Sequence, residues 1–136
     1  MNKVWNEINN RDIRFRVFDR PSQRMLYQKD FQFSFNQNGF EVIETTVTPK
    51  ITMYMSISDN LNGHLMEYSG FKDMEGVDIY EGDILEKEMY CKKVYYEVEH
   101  SNGSWKIRNH HDYIHLATIR VLSKVIGNIY QNSNIL

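Results

Sequence analysis

Four arginines near the N-terminus carry the clearest indication of a binding surface: Arg14, Arg16, Arg20 and Arg24. Arg14 and Arg16 alternate with Ile13, Phe15 and Val17, and this period of two predicts a β-strand with one buried face. If the apolar side chains face the core, the arginines project from the opposite side, where they could contact phosphate or a partner's carboxylates. Two other interpretations stay open: the charges keep an exposed strand from pairing with other chains, or they form salt bridges with the acidic part of this chain.

Carboxylates are concentrated in one segment: Glu67, Asp73, Glu75, Asp78, Glu81, Asp83, Glu86 and Glu88. A hydrolase could use two such groups as general acid and base. The segment is rich in turn residues, however, so we expect most of these side chains to face solvent or the basic ends of the chain. Asp73 and Asp83 suit turn capping, in which a carboxylate accepts backbone N–H groups. We predict no catalytic acid–base pair.

Histidines cluster at His110, His111 and His115, and two histidines four residues apart on a helix can bind a metal ion. The sequence has no His-Glu-x-x-His motif and no evident third ligand, so we predict no metal site. His100 is expected to pack against Trp105 rather than to act in catalysis.

Cys91 is the only cysteine, which excludes an intrachain disulfide and a thiolate zinc site. Two lysines follow it, but a lone cysteine beside a strand is more often structural than reactive. The sequence has no glycine-rich phosphate loop and no G-x-S-x-G nucleophile motif. We therefore predict no cofactor and no catalytic residue, and we do not expect an enzyme.

Charge is spread unevenly over a chain whose net charge is −2. Residues 1–29 carry seven Lys/Arg and three Asp/Glu, residues 30–91 carry three and twelve, and residues 92–136 carry six and three. The basic ends could fold onto the acidic middle, or they could form a basic face for nucleic acid. A mildly acidic chain is a poor nonspecific DNA binder, because that affinity comes mainly from neutralised phosphates.

The pattern of apolar residues and turn signals predicts a mainly β protein. Strands are expected at 11–18, 25–27, 31–35, 40–47, 51–57, 84–85 and 125–130, and the first two form a hairpin around the turn at 19–22. Gly70, Gly76 and Gly82 mark positions that need positive φ or a close backbone approach. Residues 112–122 fit either a short helix capped by Asp112 or an extended chain, and we favour the helix. At most one or two short helices are expected.

Asn102 and Gly103 predict the clearest local structure, because a type I′ turn needs positive φ at both central residues. A two-residue loop there places His100 opposite Trp105, and it fixes the rest of the register. Two acid–base pairs and one apolar pair then fall opposite each other: Glu99 with Lys106, Glu97 with Arg108, and Val98 with Ile107. A slip of one residue would break every match.

Three separated blocks resemble the YopX family of phage and prophage proteins. Residues 11–19, Arg-Asp-Ile-Arg-Phe-Arg-Val-Phe-Asp, are similar to its opening. Residues 66–85 resemble its most characteristic segment, and residues 125–136 resemble its closing motif, although Ser133 stands where the family often has proline. The motif positions that we single out are Gly70, Gly76, Tyr80, Gly82, Asp83 and Gly127. Residues 28–64 match no pattern of the family.

The resemblance implies a mainly β fold of the β-rich α+β type, with an N-terminal hairpin and a small SH3-like barrel towards the C-terminus. It implies an origin in a mobile element of a bacterial cell, and it carries over no catalytic residue. We divide the chain into a polar extension at 1–10, an N-terminal β region at 11–64 and a C-terminal SH3-like region at 65–136.

We expect a noncatalytic accessory protein that acts by binding an unknown protein partner. The alternative is a nucleic-acid-binding protein that uses the strand face of Arg14 and Arg16. The sequence has no export signal and no apolar run of the ~18–20 residues that a spanning helix needs, so we expect a cytoplasmic protein that does not act at a membrane. A homo-oligomer is also open, because a small sheet protein can bury one apolar face against its own copy.

Overall fold

The computed structural model describes residues 12–37, 39–44, 52–55 and 63–136. The strands in this part of the chain are β1 (Phe15–Asp19), β2 (Arg24–Tyr27), β3 (Phe31–Asn36), β4 (Gly39–Glu44), β5 (Thr52–Met55), β6 (Gly63–Lys72), β7 (Asp78–Tyr80), β8 (Asp83–Met89), β9 (Lys92–Ser101), β10 (Ser104–Arg108), β11 (Tyr113–His115) and β12 (Ser123–Asn128). The helical segments described are α1 (Leu116–Ile119) and two 3₁₀ turns, Arg120–Leu122 and Ser133–Ile135. The prediction of a mainly β fold is confirmed.

The strands form three sheets. The first has the order β2-β1-β6-β7, the second β11-β10-β9-β8-β12, and the third β3-β4-β5. The predicted N-terminal hairpin is confirmed, since β1 and β2 pair antiparallel, and β6 pairs with the other edge of β1. Strand β6 crosses the predicted region boundary between residues 64 and 65. The division into regions and the SH3-like barrel stay predictions.

Two clusters of buried side chains form the core of the described residues. One joins the first and third sheets: Val17, Leu26, Phe40 and Val42. The other lies on the second sheet and its connections: Ile79, Leu85, Tyr96, Val98, Ile107, Leu116 and Ile119. Strand β1 lies between these two parts of the molecule, so that both of its faces are covered.

Both faces of β1 are buried, and this corrects the expected one-sided strand. Val17 is fully buried in the first core, as predicted. Arg16 is also buried, at 3% exposure, because the segment from β7 to β8 covers the opposite face. Ile13 was expected in the core, but it precedes β1 and is 54% exposed.

The glycines singled out from the sequence occupy positions of positive φ or of close approach by a neighbouring group. Gly70, Gly76 and Gly82 all have positive φ, between 82° and 85°, as expected. Gly82 is also a point of close approach, because a Cβ added there would lie 3.2 Å from the Met66 sulfur. At Gly127, an added Cβ would lie 2.5 Å from Oδ1 of Asn132, so this position has no room for a side chain.

The β9–β10 hairpin has the predicted register at every position. Asn102 and Gly103 have φ of 52° and 76°, as a type I′ turn requires. Val98 pairs with Ile107, and both are fully buried. The rings of His100 and Trp105 lie 4.7 Å apart, which confirms their expected contact.

The segment 112–122 is divided between strand and helix. Residues Tyr113–His115 form β11 against β10, and α1 begins only at Leu116. The proposed cap at Asp112 is therefore wrong, because pairing with β10 keeps the next three residues extended. The last strand, β12, begins and ends two residues earlier than predicted. Expectations for residues 1–11, for Asn38, for 45–51 and for 56–62 lie outside the described residues.

Candidate functional site

A cleft of about 440 Å³ lies where the first sheet meets the edge strand β12 of the second. We call it the inter-sheet cleft. Its lining combines charged, aromatic, amide and apolar residues: Arg14, Arg16, Tyr27, Lys29, Val77, Asp78, Tyr80, Asp83, Val125, Gly127 and Asn128. Strand β1 supplies Arg16 to this lining, while the segment before β1 supplies Arg14. The cleft thus joins parts of the chain that are distant in sequence.

Arg16 and Asp83 form a buried ion pair in the wall of the cleft. Nη2 of Arg16 donates to Oδ1 of Asp83 at 2.8 Å and to the Glu81 carbonyl at 3.1 Å. The side chains of Arg16 and Asp83 are 3% and 2% exposed. The other Asp83 oxygen accepts the Tyr80 N–H at 2.7 Å, which confirms its predicted role in a turn. Burial raises the pKa of Asp83, against the opposing effects of Arg16 and the Tyr80 N–H.

The guanidinium of Arg16 retains an unused donor. Its Nε is buried and has no hydrogen-bond partner among the described residues. A buried donor left without a partner costs about 1–3 kcal/mol, and most buried donors in proteins have one. Nε of Arg16 is therefore an exception. The Tyr80 ring fixes the guanidinium from one side, with its centroid 4.7 Å from Cζ, and the Tyr27 centroid lies 6.0 Å away.

Arg14 forms a more exposed ionic cluster at the edge of the cleft. It donates to Asp78 at 2.6 Å and to both oxygens of Asp12 at 2.9 Å, and its Cζ lies 4.0 Å from the Tyr68 ring centroid. Lys72 donates to the other oxygen of Asp78. Partial burial works to raise the pKa of Asp78, but the hydrogen bonds from Lys72 and Arg14 hold it below its ordinary value.

Arg20 and Arg24 do not join this site. Both lie on the exposed hairpin between β1 and β2, where Arg20 donates to Nε2 of His64 at 2.9 Å and Arg24 to the Ser22 hydroxyl at 3.3 Å. Arg14 and Arg16 are therefore brought together without the other two. The expectation that Arg14 and Arg16 project from an exposed basic strand face is wrong, because Arg16 is buried and Arg14 is bound to carboxylates. The interpretation of salt bridges to the acidic segment is the one that the contacts support.

The remaining carboxylates of the acidic segment serve mostly as structural acceptors or surface charges. Asp73 accepts the N–H groups of Glu75, Val77 and Val125 at 2.8–2.9 Å, so it caps its turn, as predicted, and also fastens that turn to β12. Glu86 lies within 4 Å of Lys93 and Lys124. No group of three potential metal ligands occurs within the part of the chain that the structure describes.

The histidines and the cysteine are dispersed. His115 lies on β11 with its Nδ1 3.4 Å from the Ser104 hydroxyl, so it does not share a helix face with His111. His110 and His111 line a different groove, of about 500 Å³, beside Arg108 and Leu136. Cys91 is exposed, at the tight turn between β8 and β9.

Tyr27, Lys29 and Asn128 are cleft residues that the sequence did not point to. Lys29 is exposed, and its Nζ lies 5.9 Å from the Tyr27 ring centroid. Among the carboxylates whose side chains the structure describes, none lies within 4 Å of that Nζ. Lys29 belongs to the excess of positive charge in residues 1–29 that the sequence shows. That excess does not indicate which of these residues lie near β12.

Comparison with known proteins identifies the family. The model of the YopX protein family matches residues 14–136. The chain belongs to the YopX family. This confirms the resemblance carried by the three sequence blocks, two of which lie wholly inside the match. A search of curated proteins returned no match.

The fold is similar to those of two proteins with solved structures. Protein EF1440 from Enterococcus faecalis is 23% identical, with a TM-score of 0.65, and the alignment covers 93% of this chain and 99% of that one. Protein yopX from Bacillus subtilis is 22% identical, with a TM-score of 0.67, and the alignment covers 90% of this chain and 97% of that one. Within the described residues, no helix is long and apolar enough to cross a membrane.

Proposed function

We propose that this YopX-family chain is a noncatalytic binding module, of phage or prophage origin, that recognises a protein partner in the bacterial cytoplasm through the inter-sheet cleft. The observation that carries the proposal is the Arg16 guanidinium, whose Nε has no partner among the described residues, in the wall of a cleft that also presents Tyr27, Tyr80 and Lys29. Aromatic rings and arginine are the residues that most often dominate the energy of protein interfaces. The proposed phage origin rests on the family resemblance.

The ionic network favours binding over catalysis. Each oxygen of the Asp83 and Asp78 carboxylates already accepts a hydrogen bond from a donor of this chain, so the proton of a substrate would have to compete with these donors. A general base must lie within hydrogen-bond reach of the proton that it removes. These two carboxylates instead hold the arginines of the cleft in fixed positions.

A capture experiment with matched charge reversals tests the proposal. The tagged chain is used to capture proteins from a lysate of prophage-bearing bacteria, in parallel with Lys29→Glu and Lys92→Glu. Both lysines are exposed, but only Lys29 lines the cleft. We expect one protein to be captured by the unmodified chain and by Lys92→Glu, and to be lost with Lys29→Glu.

Calorimetry on the purified pair then gives the size of the effect. Loss of the rim charge should weaken binding by about tenfold, which corresponds to about 1.4 kcal/mol. A partner retained equally by both variants would remove the cleft from the interface and overturn the proposal. A salt-dependent gel shift that Lys29→Glu abolishes would instead indicate nucleic acid as the partner.

A further inference from the structure

The ionic groups of the inter-sheet cleft do not balance. All four carboxylate oxygens of Asp78 and Asp83 already accept a hydrogen bond, from Lys72, Arg14, Arg16 and the Tyr80 N–H. Two positive groups have capacity left: Nε of Arg16, which has no partner among the described residues, and the exposed ammonium of Lys29. The charged lining comprises three cationic side chains and two carboxylates that already hold donors of this chain, which favours an anion over a cation as the ligand.

We propose that the inter-sheet cleft binds an oxyanion, a carboxylate or phosphate group of a larger ligand, with the Arg16 guanidinium as the inner donor and Lys29 at the rim. This inference rests on the proposed function for the location of the site and adds the chemical class of the group recognised. Charge-assisted hydrogen bonds from arginine to carboxylate or phosphate are stronger than neutral ones and have defined geometry.

The inner donor is held in place before any ligand arrives. Both hydrogen bonds that the structure gives for the Arg16 guanidinium start from Nη2, and they hold it against Asp83 and the Glu81 carbonyl. The Tyr80 ring packs over the guanidinium plane. Because the group is planar and rigid, these contacts also fix the direction of Nε, and little conformational entropy remains to be lost on binding.

The size and lining of the cleft indicate that the oxyanion belongs to a larger ligand. A volume of about 440 Å³ exceeds the space of a single carboxylate or phosphate and lies in the range of small-molecule and side-chain pockets. Tyr27, Val77 and Val125 supply apolar surface beside the charged groups. An acidic side chain or a phosphorylated residue of the partner would place its anion against Arg16 and its carbon atoms against this surface.

Nuclear magnetic resonance titration of the full chain tests the inference without a partner. Sodium phosphate and sodium acetate are the probes, each added to about 50 mM at ionic strength held constant with chloride, because a single anionic group should bind no tighter than millimolar. We expect saturable shifts confined to the backbone amides of 27–29, 78–83 and 125–128. The relative strength of the two probes distinguishes a phosphate ligand from a carboxylate ligand.

Three variants make the test specific. Arg16→Lys keeps a positive charge for Asp83 but has no Nε, and it should weaken binding by at least about tenfold. Lys29→Gln leaves the buried pair intact and should weaken binding several-fold, whereas Lys92→Gln, outside the cleft, should bind like the unmodified chain. If Arg16→Lys does not fold, Lys29→Gln decides the question.

The results separate this inference from the proposed function. The inference is overturned if neither probe gives saturable shifts at the cleft, or if the shifts persist in Lys29→Gln and in folded Arg16→Lys. Should partner capture depend on Lys29 while no oxyanion binds, the proposed function stands and the oxyanion class is wrong. Should oxyanions bind in the cleft while no partner depends on Lys29, the site stands and the proposed function is wrong.

Discussion

Two regions of this molecule hold an arginine against acidic side chains in opposite settings. One region is the buried junction, where Arg16 of β1 meets Asp83 at the start of β8. These two side chains are 3% and 2% exposed, and the residues are 67 positions apart in sequence. In the β9–β10 hairpin, Arg108 is 55% exposed and lies 3.1 Å from Glu99 and 4.0 Å from Glu97. The buried ion pair therefore connects strands that are distant in sequence, whereas the exposed ion pairs lie on the surface of a single hairpin.

The difference shows how burial changes the consequence of losing a charge. At the hairpin surface, water solvates whatever the loss of a partner leaves behind, and exposed ion pairs contribute about 0–1 kcal/mol. In the buried junction, water does not replace a lost partner. Removal of one side chain of the pair therefore leaves the charge of the other buried and unpaired. Substitutions in the two regions should therefore differ in their cost to the free energy of unfolding.

Asp83→Ala should have the largest effect on stability. The change leaves the buried Arg16 charge with only the Glu81 carbonyl as an acceptor and leaves the Tyr80 N–H with none, and breaking a buried pair in this way costs about 3–5 kcal/mol. The matched change in the hairpin, Glu99→Ala, should cost less than about 1 kcal/mol. Urea denaturation of the three proteins measures both free energies of unfolding.

The double variant Arg16→Met with Asp83→Leu checks the physical reason for this difference. Removing both charges leaves no buried ion, so it should recover most of the stability lost in Asp83→Ala. Equal losses in Asp83→Ala and Glu99→Ala would show that the junction is hydrated and that the contrast between the two regions does not hold.

The sequence predicted the register of the hairpin but not the Arg16–Asp83 contact, because the hairpin depends on residues close together in the chain and the contact joins residues far apart. The register of β9 and β10 follows from Asn102, Gly103 and alternation over a few residues, which are local constraints. The pairing of Arg16 with Asp83 depends on β6 lying beside β1 and on the bend that follows β7, which no short pattern specifies. Both residues were singled out from the sequence, and salt bridges from the arginines to the acidic segment were one interpretation left open, but no pattern named Arg16 and Asp83 as partners.

Ion pairing across the hairpin also differed in detail from its pattern. The sequence pairs Glu99 with Lys106, and the backbone register agrees. The Lys106 ammonium nevertheless lies 4.6 Å from the Tyr113 ring centroid, and Arg108 contacts both glutamates. The turn sets the backbone register, whereas a long side chain at the surface can contact several partners of similar energy. Only the register could therefore be predicted from the sequence.

Substitution of glycine by alanine should also lower the free energy of unfolding more in the junction than in the hairpin, but by a smaller difference. Gly103 has φ of 76° and open space around it, so Gly103→Ala should cost only the backbone strain of about 1–2 kcal/mol. Gly82 has φ of 85° and an added Cβ would crowd the buried Met66 sulfur at 3.2 Å, so Gly82→Ala should cost about 2–4 kcal/mol. Thermal and urea unfolding measure both, and a cost at Gly82 no greater than that at Gly103 would show that Met66 moves aside freely.

The edge of the junction should behave like the hairpin rather than like the buried pair. Asp78 is 26% exposed and is bound by Arg14 and Lys72, so Asp78→Asn should cost no more than about 1 kcal/mol at neutral pH. Because these partners hold its pKa below the ordinary value of 3.8, the unfolded chain takes up the proton first as the pH falls. The contribution of Asp78 is therefore complete well above pH 3.8 and is lost as the pH falls through the lower pKa of the folded state. Urea denaturation of both proteins between about pH 2 and 7 should show their free energies of unfolding converging in acid, and a gap that stays constant or widens there would show that Asp78 gains nothing from its ionised form.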